Sequence, residues 1–91
     1  MKQNTQKEYH RENLTYWFGQ LPPVDLILTW DRFTAAYHVR CTIERMEAKL
    51  SAVRIWRDTN NWLYDVNQLL ALSKAIRGER ELLHELTHQT H

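Results

Sequence analysis

Five residues have the types and spacing of a metal site: His84-Glu85-Leu86-Thr87-His88. On a helix of 3.6 residues per turn, His84 and His88 lie one turn apart on one face, so both imidazoles can reach a single zinc ion. Other catalytic arrangements do not emerge. The chain has two glycines and so no phosphate-cradling loop, and its single cysteine, Cys41, follows Arg40 in no recognisable nucleophile context. Cys41 reads more simply as a small packed apolar group.

The HExxH run resembles the signature of thermolysin-type zincin metalloproteases. The resemblance covers five of 91 residues and implies zinc held by His84 and His88, with Glu85 as base. The rest of the chain departs from that family. No strands precede the motif helix to hold a peptide, and the usual third ligand lies on a separate downstream segment. His91 is seven residues from His84, about 10 Å along the same helix axis, so one straight helix cannot bring all three to one ion. Histidines late in a helix also interact favourably with its dipole. The expectation is a non-enzyme with no catalytic residues and no cofactor. His84 and His88 stay as remote candidates for a metal-binding role.

Composition points toward binding rather than catalysis. A chain of 91 residues, 43% hydrophobic and 25% charged, reads as a single domain, 1–91. A domain this small buries only a modest share of its surface, which favours oligomerisation. Twelve Lys and Arg balance eleven Asp and Glu, unlike a typical polyanion-binding surface. Four Trp and a basic set weighted toward Arg match the residue types enriched at interface hot spots. Arg40, Arg45, Lys49, Arg54 and Arg57 crowd one segment, which makes a nucleic-acid-binding regulator the main alternative. They scatter around a helical wheel with Glu44, Glu47 and Asp58 interleaved, whereas phosphate tracking wants a cluster.

Neither Gly nor Pro occurs between Pro23 and Gly78, and no convincing alternation marks a strand, so the fold class is all-α. The first dozen residues are polar, with 1–6 read as a frayed tail. A short helix over 7–18 ends at Gly19, and a long helix spans 24–57. The Asp58-Thr59-Asn60-Asn61 cluster reverses the chain into a second long helix over 61–88, with Gly78 able to break or kink it. Val39, Ile43, Met46, Leu50 and Val53 share one face of the first long helix. Leu26, Trp30, Phe33, Tyr37 and Cys41 share the opposite face, which requires burial on both sides or a break near His38-Val39-Arg40. The second long helix offers Trp62, Val66, Leu69, Leu70, Leu72 and Ile76 for antiparallel pairing. The expected object is a long antiparallel helical hairpin with a short N-terminal helix, completing a bundle by dimerisation. The aromatic face is left for Tyr16, Trp17 and Phe18 or for another chain.

The functional expectation is a non-catalytic accessory regulator, adaptor or inhibitor that binds a larger protein. Contact residues are expected at Trp30, Tyr37, Arg40, Trp56 and Arg57. No apolar run is long enough to span a membrane, the opening residues hold no secretory-type stretch, and a lone cysteine fits a reducing compartment. The expected location is cytoplasmic.

Overall fold

The computed structural model describes residues 9–88, and all regular structure among them is helical. A 3-10 turn, Arg11–Leu14, leads into the one-turn helix α1, Thr15–Phe18. A second single turn, α2, covers Val24–Ile27. Two long helices follow: α3, Arg32–Asp58, and α4, Val66–His88, packed against each other as a hairpin. The expected tail 1–6 lies outside the described residues.

The boundaries follow from short polar side chains that compete for backbone hydrogen bonds. The Asp31 carboxylate accepts the Thr34 backbone N–H at 2.9 Å and caps α3. The Thr34 hydroxyl also donates to it, and these bonds hold the Asp31 carboxyl below its usual range. The long helix therefore starts at Arg32, not at 24. The stretch before it closes its own turn, with the Thr29 and Trp30 N–H groups donating to Leu26 and Ile27 carbonyls. The break falls before the expected His38 region, and α3 runs through that region uninterrupted.

At the far end the chain leaves α3 through Asn60, whose φ of 56° is a conformation asparagine tolerates better than most residues. Asn61 and Asp65 each accept the backbone N–H two residues on, from Leu63 and Asn67. These two turns hold the chain in a loop, so α4 begins at Val66 rather than at 61.

The expected face of α3 supplies the core. Val39, Met46 and Val53 are fully buried, in one cluster with Leu72, Leu82 and Leu86 of α4. The segment before α3 joins the same cluster through Tyr9, Leu14, Phe18, Leu21, Val24 and Ile27. Part of the polar opening stretch is thus a packed strap. Its Gly19, at φ 75°, ends α1 as expected. Among the described residues nothing covers Phe33 and Tyr37 on the opposite face of α3, where they are 81% and 65% exposed. The early α1 aromatics do not cover it either, since Tyr16 is 91% exposed. Val66 and Leu70, expected in the pairing arc, are also exposed.

Gly78 does not break α4; the helix runs through it to His88. Its role is to leave room for the Tyr9 ring. A Cβ at position 78 would lie 2.7 to 2.8 Å from the ring carbons of Tyr9. Gly78→Ala should therefore destabilise the fold by about 1–3 kcal/mol, the cost of overpacking, despite a gain in helix propensity of about 1 kcal/mol. In a Tyr9→Ala background the same substitution should stabilise. Denaturant unfolding of the four variants of this cycle measures the coupling, and a stabilising Gly78→Ala in the wild-type background would refute the packing argument.

Candidate functional site

The structure divides the five expected contact residues into two groups. Trp30, Tyr37 and Arg40 lie at or near the start of α3, where Tyr37 and Arg40 are exposed and Trp30 is half-buried. The Trp30 indole meets the His38 ring edge-on at 5.4 Å. Trp56 and Arg57 lie at the other end of α3, about 24 Å further along the axis from Arg40. Trp56 is half-buried with the Lys49 ammonium over its ring at 5.4 Å, and Arg57 is exposed. The five therefore fall at two ends of α3 rather than in one cluster.

Around Trp56 and Arg57 the closed end of the hairpin exposes large apolar groups that the sequence patterning had assigned to the core or passed over. Trp62 is 87% exposed, and Ile55, Leu63, Val66 and Leu70 are also exposed. They come from the last turn of α3, the connecting loop and the first turns of α4.

The arginine-rich segment does not form a basic face. Arg45 donates to the Phe18 carbonyl at 2.8 Å, with its guanidinium 5.5 Å from the Phe18 ring centre. Lys49 is engaged over Trp56. Arg40, Arg54 and Arg57 are exposed, with Glu44, Glu47 and Asp58 interleaved along the same helix.

The HExxH run occupies the last turns of α4. His84 and His88 are exposed, with rings stacked 4.1 Å apart at 23°. The His88 Nδ1 lies 3.1 Å from the His84 carbonyl oxygen. One helix face thus offers two imidazoles, whereas catalytic zinc takes three protein ligands. Among the described residues no three metal-ligating side chains gather. His91 lies outside them.

The most strongly organised polar cluster involves residues not singled out from sequence. Arg11 and Glu79 form a fully buried ion pair between the strap and α4. Arg11 Nε donates to Glu79 Oε2 at 2.7 Å and Nη2 to Oε1 at 3.0 Å, a bidentate fork. Arg11 Nη1 donates to the Pro22 carbonyl at 2.9 Å, and Nη2 reaches Thr42 Oγ1 at 3.4 Å. The Tyr9 hydroxyl donates to Glu79 Oε2 at 2.7 Å. Burial and the Glu79 carboxylate push the Tyr9 phenol well above its ordinary range, so it stays a donor. One signal in the sequence did mark this site: Glu79 lies seven residues from both Leu72 and Leu86, in phase with the buried stripe of α4.

His38 completes the cluster. Its Nε2 is 3.0 Å from Arg11 Nη1. A guanidinium can only donate, so His38 accepts through Nε2 and must be neutral, with its proton on Nδ1. Burial, then the Arg11 charge, lower its pKa against the opposing pull of Glu79. The cluster is a lock that holds the strap to the hairpin, and no fully buried side-chain nitrogen or oxygen among the described residues lacks a hydrogen-bond partner.

No family model matches the sequence, and no curated protein or solved structure is similar to it.

Two predictions test the lock. Glu79→Met, which strands a buried guanidinium, should cost about 3–5 kcal/mol, while Arg11→Met with Glu79→Met should recover much of that loss. Denaturant unfolding decides it; a double variant no better than the single would show that the pair does not act as a unit. An unfolded imidazole titrates near pH 6.5 and the folded His38 lower. The unfolded chain therefore binds more protons below about pH 6.5, and stability should fall as the pH drops through that window. His38→Gln keeps an acceptor for Arg11 and should flatten this part of the profile, as read from denaturation midpoints between pH 7.5 and 5.

Proposed function

We propose that this protein is a non-catalytic interaction module, an accessory regulator, adaptor or inhibitor that docks on a larger protein and acts as a homodimer. The observation that carries the reading is the exposed apolar end of the hairpin, with Trp62, Leu63 and Val66 uncovered beside Trp56 and Arg57. Aromatic and arginine groups of this kind supply most of the binding energy in protein interfaces. A monomeric domain gains nothing from leaving several such groups in water at one end, and large exposed apolar patches mark interaction sites. The buried polar groups argue in the same direction, because they are consumed in holding the strap.

The two clusters of expected contacts have different roles in this reading. Trp56 and Arg57, with Trp62 and Leu63, meet the larger partner. Trp30, Tyr37 and Arg40 border a separate surface along α3, which remains open while the hairpin end is occupied.

Affinity capture from nuclease-treated lysate of the source cells tests the assignment when run as a comparison. Trp62→Ala with Arg57→Ala should release a stoichiometric protein partner that wild type retains in high salt. Tyr16→Ala, equally exposed but on the strap, should retain it. A partner lost on nuclease treatment would favour nucleic acid instead, and equal retention by both variants would remove the hairpin end from the interface.

A further inference from the structure

Neither the lock nor the hairpin end makes use of the histidines in the last turns of α4. His84 and His88 lie one turn apart on the exposed side of the helix, with rings stacked 4.1 Å apart and 23° from parallel. The His88 Nδ1 lies 3.1 Å from the His84 carbonyl oxygen and 3.1 Å from the Thr87 hydroxyl. A carbonyl can only accept, so Nδ1 carries the proton. The Thr87 hydroxyl donates to the Leu83 carbonyl at 2.9 Å, which leaves its oxygen to accept from the same Nδ1. In the neutral ring the lone pair is then on Nε2, the nitrogen available to a metal. An Nδ1–H donated to a backbone carbonyl is the support that fixes tautomer and orientation in metal-ligating histidines.

We propose that His84 and His88 hold one exchangeable divalent transition-metal ion, of the zinc class, through their two Nε2 atoms. Zinc–nitrogen bonds of about 2.0–2.1 Å at a tetrahedral angle place two nitrogens about 3.3 Å apart. Rings already stacked across one helical turn reach that spacing by side-chain rotation, with the backbone unmoved. Neutral imidazole suits zinc, copper and nickel, whereas magnesium and calcium take oxygen ligands. Among the described residues no third ligating side chain joins the pair. Water completes the coordination, so the ion exchanges with solvent more readily than one in a closed four-ligand structural site.

The field at this end of α4 also favours a cation. From Glu81 to His88 the chain carries two carboxylates, Glu81 and Glu85, and no Lys or Arg. Both carboxylates lie within about 60° of His88 around the helix axis. Arg80, one turn before His84, is paired with Glu47. Arg77 lies two turns before His84, about 10 Å along the axis. The last turn of α4 adds the negative pole of the helix dipole. The site is at the opposite end of α4 from the hairpin loop, so it stands apart from the docking reading.

Calorimetric titration of the full chain with zinc chloride, in a buffer that does not chelate it, tests the proposal. The wild type should take up one zinc ion well below millimolar concentration, and excess magnesium should not compete. His84→Ala and His88→Ala should each weaken uptake by at least about tenfold, no less than the loss of a supporting partner costs a ligand. His10→Ala, which removes an exposed histidine of the strap, should bind as wild type does. Both ligand positions are exposed, and circular dichroism verifies that each variant folds. Only the folded helix brings the two rings together, so zinc should raise the melting temperature of the wild type and not that of His88→Ala. Imidazole nitrogen NMR should place the His88 proton on Nδ1 before zinc is added and shift Nε2 of both rings afterwards. Uptake only at millimolar zinc marks an adventitious ion and overturns the proposal, as does equal binding by all three variants. A His88 proton on Nε2 in the zinc-free chain overturns the ligand assignment.

Discussion

One buried charge pair constrains every residue packed around it. Arg11 and Glu79 are both removed from water, and such a pair persists only when the remaining donors and acceptors are satisfied. Each neighbour of the pair meets that requirement in a different way. Pro22 gives a carbonyl, Thr42 and Tyr9 give hydroxyls, and His38 gives a neutral ring nitrogen. Tyr9 can reach Glu79 only because position 78 lacks a Cβ. The identities of residues 9, 11, 38, 42, 78 and 79 are therefore coupled, although they come from three separate segments.

This lock explains why a short irregular strap can be part of so small a domain. The strap has two single helical turns and little backbone regularity, so its own cooperativity is weak. Anchoring at Arg11 places Leu14, Phe18, Leu21, Val24 and Ile27 against the hairpin, where their burial supplies the hydrophobic stabilisation. The anchored strap also settles which part of α3 stays in solvent. With α4 on one side and the strap on another, the Phe33–Ile55 stripe is the remaining side, and it faces outward as a continuous surface.

Function, in this reading, resides in what the lock leaves uncovered. The closed end of the hairpin cannot be reached by the strap, which is committed to the region of Thr42 and Glu79. Its loop is held by two Asx turns that present Trp62 and Leu63 rather than fold them inward.

The sequence by itself determined the helical class and the hairpin. Local propensity, a core stripe at helical spacing and a cluster of turn formers at 58–61 act over short distances, and the structure keeps them. Boundaries were less legible: Asp31 and Asp65 as caps were outcompeted in the reading by longer apolar patterns that run past them. The face of Phe33 and Tyr37 was visible as apolar, but whether it is buried depends on where the strap lies, which no local pattern encodes. The same holds for Arg11. Alone it is a polar residue in a polar stretch, and only the carboxylate brought to it from 68 positions away makes burial affordable. Gly78 shows the limit most plainly: as a helix residue it reads as a weakness, and it is the Tyr9 ring packed against it that makes glycine the residue that fits.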